Sequence, residues 1–310
     1  MSDHKEAKSF SRFGYIMVAA GAGIGLGNIW KFPYLAYGDG GGAFVLIYIV
    51  ICILLGHPIV QAEQAVGRRG RASAAASYGV IHPKWRFVGV INIVCTFLID
   101  IYYLVVSGWV LKYFVTYVVS GDFGKDKQAY FDNYISSTTQ PLIYSLVIIA
   151  IIVFFLFFGI TNIVEKASKV IMPMLAVLLL VCGIYALIVV PGAVDGLKYY
   201  FVPDFSKFGM QQFADACMQV CFSVGIGWGI FTTLGASMDK DANLKADAWW
   251  VDICDTFIAL LAGFVIIPTV VGTGSEMSSG PSLVFVAMTQ IFETLPGGRI
   301  IGIFFFASLI

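Results

Sequence analysis

In the run Ala20 to Asn28, AGAGIGLGN, every second residue from Gly21 to Gly27 is glycine, inside what reads as the first membrane-crossing helix. Each interior glycine costs a helix about 1 kcal/mol relative to alanine. Four in such a short stretch therefore mark either a break or a very tight packing surface. A second run, Phe222 to Gly229 (FSVGIGWG), repeats the pattern late in the chain. Packing faces of the small-xxx-small kind repeat at i and i+4, whereas alternate glycines cannot all point at one neighbour. The spacing favours a break in both places, with close packing as the alternative.

The setting of these runs is lipid. The chain is 59% hydrophobic and 12% charged, with mean hydropathy +0.86, outside the range of soluble domains. The lipid bilayer is therefore its first partner. Net formal charge is zero and no basic stripe exists, which leaves nucleic acid without a footing. The six cysteines lie in apolar runs without CxxC spacing, so neither a disulfide framework nor a metal site is expected. About 20 apolar residues span a bilayer, and such runs fall at about 13–37, 42–66, 87–119, 141–159, 168–190, 212–237 and 249–272, with an eighth from about 299. The loop between the second and third spans carries Arg68, Arg69, Arg71, Lys84 and Arg86 and no acid, which makes it cytoplasmic. The N-terminus is then a retained cytoplasmic tail of a multi-pass protein of the cell (inner or plasma) membrane. The loops at about 120–140, 191–211 and 273–298 lie outside.

If five spans make one unit, the glycine-interrupted spans 1 and 6 hold the same place in two successive units. Paired interrupted spans point to an inverted-repeat transporter with its site near the bilayer midplane. A break in lipid exposes backbone groups at several kcal/mol each unless something satisfies them. Freed carbonyls suit a bare cation, and the N-terminus of the following half-helix suits a carboxylate.

The motifs GIGLGNIWKFPY (23–34), GGGAFVLIY (40–48), GHPIVQAEQAVGRRG (56–70), IYYLVVSGW (101–109) and QVCFSVGIGWG (219–229) resemble the neurotransmitter:sodium symporter family in order and spacing, from about residue 10 onward. The resemblance implies an all-α integral membrane protein with an inverted five-helix repeat and broken helices 1 and 6. Residues 1–12 would form the tail, 13–190 the first repeat and 191–310 the start of the second, with the chain ending inside span 8.

The resemblance also implies site residues. A first sodium site would use the Ala22 carbonyl with the side chains of Asn28, Ser223 and Asp255. A second would use the carbonyls of Gly21 and Ile24, completed by span 8 hydroxyls. Asp255 stands where many members have asparagine and draw their negative charge from chloride or from a glutamate one turn on, here Ala259; Tyr48, Gln219 and Ser223 match the rest of that chloride cavity. A carboxylate at 255 supplies the charge itself, so no chloride is expected. Glycine at 25, where monoamine carriers have aspartate, implies a substrate that brings its own carboxylate, held by the N–H groups of Leu26 and Gly27, by Tyr103 and by the first sodium, with Ala22 also in the substrate site. Ile99, Tyr103, Phe222, Gly225 and Trp228 would line the side-chain pocket, with Ser223 beside it. None is charged, so the substrate side chain should be uncharged; aromatic and small aliphatic ones both stay open.

Phe222 resembles the family's lid, Lys31 replaces an outer-gate arginine, Arg12 matches an inner-gate residue although Ser9 stands for the usual tryptophan, and Glu63 resembles the glutamate that bonds the unwound backbone of span 6. Asp100 matches nothing: a proton site, a partner for a buried cation and a solvated vestibule residue all stay open. The expected function is a sodium-coupled symporter of neutral amino acids, with a non-transporting sensor or a channel as alternatives and the oligomeric state open. No HExxH, GxSxG or midplane His/Asp pair is legible, since His57 and His82 read as lying near span ends, so no enzyme is expected.

Overall fold

The computed structural model describes residues 10–25, 27–157, 160–239, 241–274 and 283–310. Among them the chain is helical, without a strand beyond one isolated bridge between Gly41 and Pro203. In order the helices are α1 (Arg12–Gly23), α2 (Gly27–Gly38), α3 (Gly42–Gly70), α4 (Ala74–Ile81), α5 (Arg86–Val119), α6 (Lys127–Ser136), α7 (Thr139–Phe157), α8 (Ile160–Val189), α9 (Ala193–Phe201), α10 (Met210–Val224), α11 (Ile230–Ala236), α12 (Leu244–Thr273), α13 (Val284–Thr294) and α14 (Gly298–Leu309).

Local sequence sets the helix ends. The Ser11 hydroxyl accepts from Gly14 N–H at 3.2 Å to start α1, and Asn243 accepts from Ala246 N–H to start α12. Pro33 and Pro58 fall where a helix tolerates proline, directly after a π-helical turn in each case. The two halves of the first span, α1 and α2, meet at 58°. In the sixth, α10 stops at Val224 and α11 begins at Ile230, so the span over 212–237 is two half-helices, as its glycine run led one to expect.

Helix α12 is the axis of the bundle: 67% of its apolar window is buried, against 6% for α7, which faces outward. One side of α12 packs with α5, α8, α13 and α14 through residues such as Val110, Tyr113, Leu179, Val265 and Phe306. The other side packs with α1, α3 and α10 through Ala19, Phe44, Tyr48, Val220 and Ala259. Between helices in lipid there is little hydrophobic drive, so close approach matters more. The α3–α11 crossing depends on it. A Cβ on Gly235 would lie 2.9 Å from Gln64 Cα, and one on Gly67 would overlap the Thr232 carbonyl.

The starts of α1 and α12 and the end of α3 share one face of the bundle. Arg12 Nε pairs with Asp247 at 2.8 Å, Arg68 Nη1 donates to the Ala242 carbonyl at 2.7 Å, and Arg71 Nη1 to that of Ala236 at 3.2 Å. At the opposite face the loops expected outside carry helices of their own, α6, α9 and α13. The tail residues 1–9, including Ser9, and residues 275–282 of the last of these loops lie outside the described residues.

His57 is a correction. It stands at the middle of α3, buried, not near a span end. A π-helical turn over Cys52–Gly56 carries the helix through Gly56–His57–Pro58 without a break.

Beyond the outer end of α2, burial and the nearby Asp215 push the Asp39 carboxyl up to about 6. A carboxyl raised in the folded state favours folding fully below its ordinary value near 3.8, and that contribution is lost as pH rises through about 6. The Asp39→Asn variant has no such loss. Its Tm should exceed that of the parent at pH 7, with the gap closing by pH 4 in parallel thermal melts; a gap constant across that range would contradict the assignment.

Candidate functional site

The two alternating glycine runs turn out to solve different problems. In the second, Gly225, Gly227 and Gly229 have φ of +71°, +80° and +69°, left-handed backbone that only glycine adopts without strain. In the first, none of Gly21, Gly23, Gly25 and Gly27 is left-handed; each instead makes room for a different neighbour. A Cβ on Gly21 would meet Met172 Sδ at 3.3 Å, on Gly23 Asp255 Oδ1 at 3.1 Å, on Gly25 Tyr103 Oη at 3.2 Å, and on Gly27 the Phe222 ring at 2.6 Å. Four glycines thus admit α8, α12, α5 and α10 in turn.

At the break in the first span the N–H of Gly25 bonds the Gly23 carbonyl at 2.7 Å instead of continuing the helical ladder to Gly21. Ile24 N–H still reaches Ala20, and Asn28 N–H returns to the Gly25 carbonyl at 3.2 Å. Ala22 sits in the last turn of α1 and also borders an inner cavity of about 480 Å³. Leu26 lies outside the described residues.

Asn28, Ser223 and Asp255 converge although they come from α2, α10 and α12, and all three are buried. Asn28 Nδ2 donates to Asp255 Oδ1 at 2.8 Å, which leaves Asn28 Oδ1 and Asp255 Oδ2 facing the Ser223 hydroxyl at 3.0 and 2.8 Å. A serine hydroxyl has one proton, so it cannot satisfy both acceptors. Tyr48 Oη adds no proton to either of them, since it lies 3.3 Å from Ser223 Oγ. The result is a buried cluster in which two oxygen acceptors, one of them a carboxylate, are left short of a proton, and oxygen ligands of this kind are what a hard cation takes. Gln219 Nε2 donates to the Gly27 carbonyl at 3.3 Å beside it, and Ala259 is fully buried nearby on α12.

Next to the cluster stand three aromatic rings. Phe222 and Trp228 meet edge to face at 5.4 Å, and Tyr103 lies 6.3 Å from the first and 6.2 Å from the second. The Tyr103 hydroxyl faces the Gly27 N–H. Gly225 lies under Trp228, where a Cβ would touch the indole at 3.5 Å, and Ile99 sits one turn before Tyr103 on α5, half-buried. Lys31 Nζ lies 4.3 Å above the Phe222 ring, a cation–π contact that holds the ring from the outer side.

The unwound segment between α10 and α11 is held by side chains from two other helices. Glu63 Oε1 accepts from Gly227 N–H at 2.8 Å, as the sequence suggested. Two further residues were not anticipated. Thr96 Oγ1 donates to the Trp228 carbonyl, and Asn92, in the amide orientation that suits its neighbours, donates to the Gly227 carbonyl at 3.1 Å. Asn92, Thr96 and Asp100 recur every fourth residue along an otherwise apolar helix, and that stripe was the signal available. Asp100 borders the inner cavity with Ala22, Thr96 and Trp228.

The chain as a whole is similar to known proteins. Residues 7–121 and 131–310 match the family described as the sodium:neurotransmitter symporter family. An uncharacterized sodium-dependent transporter of Haemophilus influenzae is 33% identical over all of this chain, which covers 71% of that protein. One of Bacillus subtilis is also 33% identical, with all of this chain matching 70% of its length. The bovine sodium- and chloride-dependent taurine transporter is 26% identical, with 97% of this chain covering 57% of it. Among solved structures, MhsT in complex with L-phenylalanine superposes with a TM-score of 0.91 at 34% identity, over 98% of this chain and 70% of that one.

Proposed function

The chain belongs to the sodium:neurotransmitter symporter family, and on that premise we propose that it is a sodium-coupled, chloride-independent symporter of neutral amino acids. A sodium-dependent transporter, not an enzyme, is what its relatives are. The observation that carries the finer reading is the buried Asn28–Ser223–Asp255 cluster, where two acceptors compete for one hydroxyl proton.

In this reading Asn28, Ser223 and Asp255 hold one sodium ion together with the Ala22 carbonyl. The carbonyls of Gly21 and Ile24 contribute to a second. The substrate carboxylate enters the space left by Gly25, accepts from the N–H groups of Leu26 and Gly27 and from Tyr103, and touches the first sodium. That contact couples the two ligands, because each raises the affinity for the other by the same factor. The substrate side chain rests among Ile99, Tyr103, Phe222, Gly225 and Trp228, with Phe222 as the lid and Lys31 above it. Alternating access moves α1 and α11 against the scaffold, with 13–190 as the first repeat and 191–310 as the start of the second. The arginine-rich face is cytoplasmic, as is the N-terminus.

The bovine relative is named sodium- and chloride-dependent, so chloride is the sharpest discriminant. Here the Asp255 carboxylate brings a fixed negative charge to the cluster. Radiolabelled L-phenylalanine, L-leucine and L-alanine should accumulate in proteoliposomes under an inward sodium gradient, and replacing chloride by gluconate should leave uptake unchanged. Binding without accumulation would mean a sensor, sodium-independent flux a channel, and collapse in gluconate a chloride requirement.

Trp228 should set the upper size of the substrate. Trp228→Phe enlarges the pocket, so competition assays should show relative preference moving toward bulkier side chains by about tenfold, the scale of a few buried methylenes. An unchanged rank order would remove Trp228 from the pocket.

A further inference from the structure

One ionisable pair inside the bundle has no part in the sodium cluster or the substrate pocket. His57 Nδ1 lies 2.7 Å from Asp252 Oδ2, the two side chains are 8% and 7% exposed, and the residues come from α3 and α12. The imidazole is stacked on the Trp249 indole, with centroids 3.9 Å apart and planes at 22°. The second carboxylate oxygen, Asp252 Oδ1, is buried without a partner. Ionisable groups at such depth are costly and are retained for what they do.

We propose that His57 and Asp252, capped by Trp249, form a proton-binding site that competes with the cation held at Asp255. Three observations support it. First, the pair can hold a proton at two net charges: a neutral imidazole donating to a carboxylate, or an imidazolium paired with it. The indole face in contact with the ring favours the imidazolium through a cation–π interaction. Second, Asp252 precedes Asp255 by three residues on α12, which places their Cβ atoms about 5–6 Å apart on one helix face. With Asp255 carrying no cation, two carboxylates sit one turn apart in a medium that screens poorly, and a proton on the pair relieves the repulsion. A sodium ion at Asp255 relieves the same repulsion, so each cation weakens binding of the other by the same factor. Third, Asp252 borders a cavity of about 300 Å³ lined by Cys52, Trp249 and Thr256 among mainly apolar side chains, so packing does not seal the pair on every side. The exchange balances: one sodium ion enters the cluster, and one proton leaves the pair for water.

Among the described residues, the charged and titratable groups that act on the pair are Asp255 and Lys245 from α12 and Cys52 from α3. Of these, only Asp255 changes its local charge when sodium binds.

The inference rests on the reading that Asp255 ligates sodium, and the test separates the two. An imidazolium against an indole quenches its emission. The Trp249 signal, taken as parent minus Trp249→Phe, is followed from pH 5 to 9 in the full chain, in sodium gluconate and in choline gluconate. Radiolabelled sodium binding is measured in parallel. Quenching should set in on acidification, with a midpoint about one pH unit lower in sodium, a tenfold effect within the usual range of coupling between sites. His57→Gln should abolish the quenching and flatten the part of the sodium affinity's pH dependence that it tracks. Asp252→Asn should lower the midpoint in choline and shrink the sodium shift. Should either variant fail to fold, the sodium shift in the parent decides by itself. Sodium binding with the same Trp249 midpoint in both salts overturns the proton site and leaves the proposed function standing. No sodium binding at any pH overturns both.

Discussion

Asp255→Asn is expected to weaken the sodium dependence of uptake by about 10–100-fold and to make the remaining uptake respond to chloride. The side chain keeps its shape and loses its charge. A unit charge about 4 Å from a cation is worth about 4 kcal/mol at an effective dielectric of 20, and part of that is returned because a buried amide is easier to desolvate than a carboxylate. What survives is a loss of about 1.4–2.8 kcal/mol in sodium binding. The surrounding polar groups are already in place for an anion: Tyr48 Oη lies 3.3 Å from Ser223 Oγ, and Gln219 reaches the Gly27 carbonyl. Uptake measured against sodium concentration, with and without chloride, gives the answer. A variant with parental sodium dependence and no chloride response would mean that Asp255 is neutral in the working protein.

The second large effect is expected at Glu63. Its Oε1 is the acceptor for Gly227 N–H at 2.8 Å, and Gly227, at φ +80°, belongs to no helix that could supply another. Glu63→Ala leaves that half-buried donor without its partner, which costs up to about 1–3 kcal/mol. The cost falls on a hinge, so the unwound segment should shift and uptake should drop at least about tenfold. Glu63→Gln keeps an acceptor at the same reach and should retain most of the activity. Equal uptake by both variants, with equal expression, would show that Gly227 is satisfied some other way. Asn92 and Thr96 hold the neighbouring carbonyls from α5, so the segment would loosen at one anchor while keeping the others.

Much of the architecture was legible in the chain. Apolar run lengths place the spans to within a few residues, except where α8 begins earlier than 168. Lipid enforces this legibility, because a chain crossing it must form helices of a set length. Asn28 and Ser223 were legible through their motifs and Asp255 through the family resemblance, and the structure brings the three together. His57 and Asp252 were not. They lie 195 residues apart, each looked solitary, and only the packing of α3 against α12 makes them a pair.

The alternating glycines show where the division falls. The sequence by itself favoured a break in both runs, because i, i+2 spacing fits no single helix face. It could not say why glycine was needed, since a missing Cβ relieves backbone strain and neighbour contact alike. Tertiary structure decided this separately for each run. In the sixth span the need is a left-handed φ, a property of the segment itself. In the first it is space for Asp255, Tyr103 and Phe222, side chains that arrive from helices far along the chain and whose approach no local pattern records.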